Sequence, residues 1–337
     1  MVTVSAPGKV HLIGEHAVVY GKPAILAAVG RRILVTAAKA DQVEVSDKEM
    51  EFPNQSWTAQ ECREAAAQAF RAWDTGSREK DFSRVFALSH GNNFKKIGIG
   101  HALSRLGIDG GVRLEISGGV PVGSGLGSSA SLAVALVKAI AEAYHKPLPL
   151  AEVNALAYDI EKVMHGSPSG GDNTACCYGG LSWFVKGQLV EPLHLARPLE
   201  NVMFVYTRKP VKTTGELVQL VRDLDVRIRE PHIEALGRAA FAMRDALLAG
   251  DHAKIMSLIN AAQEHLARLG VSVPEIDRVH ERMQEIGGAA KGCGAMGGGI
   301  VLCYHPDKAR MTETLRAMGF SPWDAPLAVE GVRVEHS

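Results

Sequence analysis

The stretch that most limits how this chain can fold runs from Pro121 to Tyr144 and reads PVGSGLGSSASLAVALVKAIAEAY. It passes from a glycine-rich loop into a helix without a break. Gly123, Gly125 and Gly127 remove side chains at alternate positions, so backbone N–H groups there can close around something bulky and anionic. Ser128 and Ser129 stand where N-cap residues belong, ahead of Leu132, Ala133, Leu136, Val137 and Ile140 at helical spacing. A glycine loop feeding a helix N-terminus is a phosphate site, because unpaired N–H groups and the positive end of the dipole converge on it. Two other phosphate loops are excluded. No Lys follows the glycines as in a Walker A loop, and Ser128 occupies the third glycine of GxGxxG. The plain alternative is a glycine turn capped by serine.

An anion held this way needs local charge, because the chain as a whole has none to offer: Lys+Arg and Asp+Glu are 37 each. That balance gives no field favouring nucleic acid or an anionic membrane. Five cysteines without CxxC spacing read as reduced thiols of a cytosolic protein, with Cys176 and Cys177 as small core residues. The start, MVTVSAPGKV, lacks a basic n-region, and no uncharged apolar run approaches the ~20 residues that span a bilayer. A soluble cytoplasmic protein is expected, with no nucleic-acid or membrane partner. The histidines form no HExxH pair, which argues against a dedicated transition-metal site.

A length of 337 residues suggests about two domains. Residues 2–5 alternate as a strand and Ala6-Pro7-Gly8 turns the chain; 24–38 is a strand or strand pair, and 41–50 an alternating edge strand. Residues 59–73 and 94–106 are helical, separated by DTGSREKDFS as a mobile surface loop. A strand at 112–116 enters the glycine loop. A helix over 150–164 ends at Gly166 and Pro168, and 181–185 with 188–190 makes a hairpin. A change of composition at 192–198 divides the chain into domains 1–197 and 198–337. The second half reads strand 202–207, helices over 214–284 broken at Pro231, Gly250 and Pro274, two strands within 289–304, helix 307–318 and strand 329–334. That order fits a ferredoxin-like sandwich.

Phosphoryl transfer needs a cradle for ATP phosphates, a divalent cation, and a group that positions or deprotonates the acceptor. Glu161 sits on the margin of a buried helical stripe, and Asp172 lies in a Gly/Ser/Pro turn free to approach a ligand. Their bland readings are a surface carboxylate and a turn former. Lys9 is the main cation candidate; beside Asp172 it would hold that group as a carboxylate and offset phosphate charge. The hydroxyls of Ser128 and Ser129 suit Mg²⁺, a hard cation that takes oxygen ligands.

Four segments in this order, APGKVHLIGEHAVVYGKPA, PVGSGLGSSAS, HGSPSGGDN and KGCGAMGGG, resemble the GHMP small-molecule kinases and, within them, the mevalonate kinase branch. The likeness covers nearly the whole chain. GEHAVVYGKPA and HGSPSGGDN are its most specific parts, since galactokinases carry a GEHTDY-like segment at the first. It implies an α+β, two-domain fold with an N-terminal α+β domain and a ferredoxin-like C-terminal domain. It further implies ATP- and Mg²⁺-dependent phosphorylation of the mevalonate 5-hydroxyl, in isoprenoid precursor synthesis, by a homodimer. Carried over by position, Gly123, Ser124, Gly125, Leu126, Gly127, Ser128 and Ser129 would wrap the ATP phosphates, and Asn54 would touch the nucleotide. Ser129 and Glu161 would hold Mg²⁺, Asp172 would be the base with Lys9 beside it, and Glu15, His16 and Thr213 would lie near the substrate. The last glycine cluster would close the cleft. Two departures stand out: Gly171 replaces the usual Val or Ile and loosens the fit around the substrate methyl, and Gly118-Gly119 replaces a Ser-containing run, which puts one nucleotide contact in doubt. The alternatives are another GHMP kinase (of phosphomevalonate, of the mevalonate 3-hydroxyl, or of a sugar) and a nucleotide-binding regulator without catalysis.

Overall fold

The computed structural model describes residues 1–47, 54–121, 124–188, 190–195 and 199–335. The chain opens with two long antiparallel strands, β1 (Val2–Ile13) and β2 (Ala24–Ala40). The expected turn at Ala6-Pro7-Gly8 is instead a register shift inside β1. Pro7 has no N–H for the ladder, so the strand bulges there and continues, carrying Lys9 and His11 inward. β3 (Val43–Asp47) lies between β4 (Asn54–Trp57) and a later strand, so β4 and not β3 forms the edge. The end of the strand expected over 41–50 lies outside the described residues.

Helix α1 (Ala59–Glu79) starts on a Thr58–Glu61 capping box and runs well past residue 73. The stretch expected as a mobile loop is thus the end of α1, a short corner, and the first residue of α2 (Ser83–Ser89). Gly76 permits this corner, since a Cβ there would meet the Asp81 carbonyl oxygen at 2.4 Å. Next come α3 (Asn93–Arg105), β5 (Gly111–Gly118), α4 (Ser128–Ala143), α5 (Leu150–His165) and α6 (Gly171–Tyr178). Gly166 ends α5 at φ 70°, where its carbonyl-capped N–H bonds back to Lys162. β6 (Leu181–Phe184) and β7 (Glu191–Leu193) form the expected hairpin, with its second strand slightly later than 188–190.

The second half holds β8 (Val202–Tyr206), α7 (Thr214–Asp223), α8 (Val226–Ala249), α9 (His252–Arg268), α10 (Pro274–Glu285), β9 (Ala289–Gly292), β10 (Ile300–Tyr304) and α11 (Lys308–Ala317). Pro231 does not break the helices as expected. It sits early in α8 on the exposed side, where the one backbone bond it forfeits faces water, and the break falls at Leu224-Asp225. The strand order is β8–β10–β9, all antiparallel. A fourth strand beside β8 is reduced to one bridge, Phe204 to Trp323, with both N–H···O distances at 2.9 Å.

The final strand is β11 (Arg333–Glu335), shorter than the expected 329–334, and it leaves the second sheet to pair with β1. Arg32 draws it there, donating to the carbonyls of Glu330 (2.8 Å) and Gly331 (2.6 Å). The first sheet therefore reads β11–β1–β2–β5–β3–β4, with β6 and β7 attached through β2. Helix α4 packs across β1 and β2, and one apolar core runs from Val4 through Phe204 and Ile300 to Val332. Among the described residues no helix is long and apolar enough to cross a membrane.

Helices α1 and α3 touch backbone to backbone at Gly100, where a Cβ would stand 1.9 Å from the Cys62 carbonyl oxygen; at Gly98 it would meet only Ile160, at 3.5 Å. Gly100→Ala is therefore expected to destabilise by about 1–3 kcal/mol or more. Gly98→Ala should be neutral or stabilising by about 0.4–1 kcal/mol. Urea unfolding of the two variants checks the contrast.

Candidate active site

Lys9 and His11 stand two residues apart on β1 and so share one of its faces. The glycine loop folds directly over them. Lys9 N–H donates to the Leu126 carbonyl at 2.9 Å, and a Cβ on Gly127 would lie 3.0 Å from the Lys9 side chain. Gly127, at φ 67°, is itself the N-cap of α4. Ser128 and Ser129 are thus the first helical residues and not caps, and no side chain caps the helix. The first N–H groups of α4 are left for an external anion, which strengthens the phosphate reading while correcting the expected cap. Ser124 is buried; its hydroxyl donates to Pro121 O at 2.7 Å, and its carbonyl accepts from Ile300 N at 2.9 Å. A Cβ on Gly125 would meet the Cys293 carbonyl oxygen at 2.8 Å. The two glycine clusters therefore meet backbone to backbone. Leu126 is fully buried, and Gly123 lies outside the described residues.

Lys9 Nζ reaches Asp172 Oδ2 at 3.1 Å; the lysine side chain is 3% exposed and the aspartate 35%. The carboxylate thus faces solvent from the first turn of α6 while the ammonium sits behind it. Its other acceptors are Gly125 O and His11 Nδ1, both at 3.3 Å. On the neighbouring helix Glu161 is buried, with Oε2 3.5 Å from His165 Nε2 and Oε1 without a partner. Ser129 Oγ lies 3.1 Å from the same His165 nitrogen. Burial raises the Glu161 carboxyl above its usual range and the Asp172 charge adds to this, against His165, Ser129 and Lys9. A buried carboxylate with a spare oxygen beside a serine hydroxyl fits Mg²⁺, which takes one or two protein oxygens and fills its sphere with phosphate and water. Among the described residues no cluster of three or more His, Cys, Asp or Glu could hold a metal.

Glu15 is buried and ion-paired with Lys291, which is also fully buried and donates to the carbonyls of His11 (3.0 Å) and Gly292 (3.3 Å). His16 adopts φ 56° and donates from Nε2 to Ala295 O at 3.1 Å. Burial pushes its imidazole down to about 4, against the pull of that carbonyl, so the ring is neutral at pH 7. Thr213 is exposed, and its hydroxyl serves a capping box with Glu216 at the start of α7. Asn54 is exposed on the edge strand opposite Ser46. Neither Thr213 nor Asn54 bonds to the Lys9 cluster. Both departures from the family pattern have local causes. A Cβ on Gly171 would press on Leu26 (2.9 Å) and Phe184 (3.3 Å), and one on Gly118 on the Arg32 carbonyl oxygen (2.4 Å).

Three side chains in this cluster escaped the sequence reading: His11, His165 and Lys291. Strand alternation from Lys9 points to the first and i,i+4 spacing from Glu161 to the second. The third heads the segment KGCGAMGGG, where the glycines drew attention and the lysine did not.

The model of the GHMP kinases N terminal domain matches residues 93–180, and that of the GHMP kinases C terminal domain matches residues 243–322. A mevalonate kinase of Thermococcus sibiricus is 30% identical over 346 residues, covering 99% of this chain and 98% of its own. The chain belongs to the mevalonate kinase family of GHMP kinases. The crystal structure of the Methanococcus jannaschii mevalonate kinase superposes with a TM-score of 0.80 at 24% identity, covering 96% of this chain and 98% of that one. The crystal structure of L. major mevalonate kinase in complex with R-mevalonate gives 0.73 at 23% identity, covering 97% and 95%. This GHMP kinase thus shares their fold from end to end.

Two measurements follow from the geometry. Lys291→Met strands a buried carboxylate and should cost about 3–5 kcal/mol in urea unfolding, partly recovered by adding Glu15→Gln. Glu161, with its carboxyl raised in the fold, contributes stability below the ordinary glutamate range that is lost as pH rises through the raised value. Glu161→Gln should therefore raise the thermal midpoint of the ligand-free protein at neutral pH and abolish any further rise with Mg²⁺.

Proposed function

We propose that this enzyme transfers the γ-phosphoryl group of ATP to the 5-hydroxyl of mevalonate, with Mg²⁺, in isoprenoid precursor synthesis. The observation that carries the reading is the Lys9–Asp172 pair, 3.1 Å long and lodged beneath the loop that feeds α4. Asp172 accepts or orients the acceptor proton, and Lys9 balances charge on the moving phosphoryl group. The loop from Gly123 to Ser129 and the open N–H groups of α4 cradle the phosphates. Ser129 and Glu161 hold Mg²⁺. Bound there, the ion offsets charge on the phosphate oxygens.

Glu15, sealed against Lys291, acts on the acceptor by fixing the turn that presents His16. His16 is a neutral hydrogen-bonding ring for the substrate, Thr213 borders the acceptor side, and Asn54 borders the nucleotide. Residues 1–197 form the nucleotide domain and 198–337 the closing domain of a cytoplasmic homodimer that binds neither nucleic acid nor membrane. The names of the curated relatives, and the ligand in the L. major structure, favour mevalonate over sugar or phosphomevalonate as acceptor.

Mevalonate, phosphomevalonate and galactose tested side by side in a coupled ADP assay should give turnover with mevalonate alone, and product NMR should place the phosphate on the 5-oxygen. Asp172→Asn should lower that turnover by about 10²–10⁴-fold while ATP binding persists. Near-normal turnover in the variant would remove Asp172 from the mechanism.

A further inference from the structure

We infer that His11 is a positioning residue, whose ring accepts one of the three N–H bonds of Lys9 and so fixes where that ammonium points. The inference rests on reading Lys9 and Asp172 as the phosphoryl-transfer pair. An ammonium has three donors and no acceptor. Those of Lys9 meet Asp172 Oδ2 at 3.1 Å, Gly125 O at 3.3 Å and His11 Nδ1 at 3.3 Å. The three acceptors come from α6, the glycine loop and β1 itself. With the lysine side chain 3% exposed, water has little access to replace a missing one.

Because Lys9 can only donate, His11 Nδ1 must carry the lone pair and Nε2 the proton. Its surroundings keep the ring in that neutral form: it is buried, and the charges of Lys9 and Lys291 oppose a second proton. The backbone that carries the ring is also held in place. The His11 carbonyl accepts from Lys291 at 3.0 Å, and Lys291 is locked to Glu15. The second half of the chain thus fixes the backbone of His11, and the ring fixes the ammonium. Without this acceptor the freed N–H can turn only to Asp172 or to the loop carbonyl. A tighter grip on Asp172 competes with the proton that the carboxylate must take, so the loss falls on turnover and not on nucleotide binding.

Two variants separate this role from simple packing. His11→Leu fills the space with no acceptor, and His11→Asn puts a carboxamide oxygen near the position of Nδ1. His11→Leu should lower kcat with mevalonate by about 10–100-fold and leave KM for ATP within about threefold, and His11→Asn should regain most of that loss. Equal losses in the two variants, or a kcat within about threefold of the parent in His11→Leu, would overturn the inference. Two-bond ¹H–¹⁵N correlations of the histidine-labelled parent provide a test that survives misfolding of either variant. They should report His11 protonated at Nε2 and bare at Nδ1; a proton on Nδ1 would overturn the inference equally. A parent inactive on mevalonate but carrying that tautomer would refute the proposed reaction and leave the His11–Lys9 bond standing.

Discussion

An ammonium taken out of water must be matched on every side, or its desolvation costs several kcal/mol. Lys9 is 2% exposed, and the active region is arranged to meet that demand. Its acceptors, His11, Gly125 and Asp172, arrive from a strand, a loop and a helix N-terminus that are far apart in sequence. Each has to be brought within 3.3 Å. The absence of a side chain at Gly127 lets the loop lie on the lysine stem, and the bulge at Pro7-Gly8 lets β1 carry Lys9 into the interior. The charge that would assist phosphoryl transfer is thus set by the fold before any ligand arrives, and it needs no reorganisation when the transition state forms.

The same logic ties the two halves together. Lys291 from the second sheet neutralises Glu15 on the turn after β1, and the two glycine clusters press backbone against backbone at Gly125 and Cys293. Ile300 adds a backbone bond to Ser124. A phosphate loop braced this way resists widening, so its N–H groups keep one geometry. The return of β11 to the first sheet, clamped by Arg32, is a further tie between the ends of the chain.

Much of this was legible in the sequence, because local chemistry decided it. The apolar stripe and closing Gly166 define α5, and the glycine loop running into an apolar period defines α4. Lys9, Ser129 and Asp172 stand out because each lies in a segment that resembles the GHMP kinases, and Glu161 because it sits on the margin of an apolar helical stripe. What escaped was decided by tertiary contacts. Nothing local distinguishes the Pro7 bulge from a turn; the difference is that β2 continues to pair beyond it. The polar run at 74–83 looked like a loop because its helical part packs through Gly76, whose value lies in what it does not occupy. Ser128 and Ser129 have the chemistry of caps, but an αL glycine before them took that position. Pro231 is tolerated because its freed carbonyl partner is near the solvent-facing start of α8. Glu15 shows the limit most clearly, since its charge could be assigned a place only once Lys291, hundreds of residues away, was seen beside it.

The central claim is that one phosphoryl group, one acceptor hydroxyl and one cation meet among Lys9, Asp172, Ser129 and Glu161. A crystal structure with Mg²⁺, a non-hydrolysable ATP analogue and mevalonate tests it most directly. The account predicts the metal against Ser129 and Glu161, and an Asp172 oxygen within about 2.6–3.2 Å of the 5-hydroxyl. A triphosphate bound away from the start of α4, or an acceptor hydroxyl out of reach of Asp172, would contradict it.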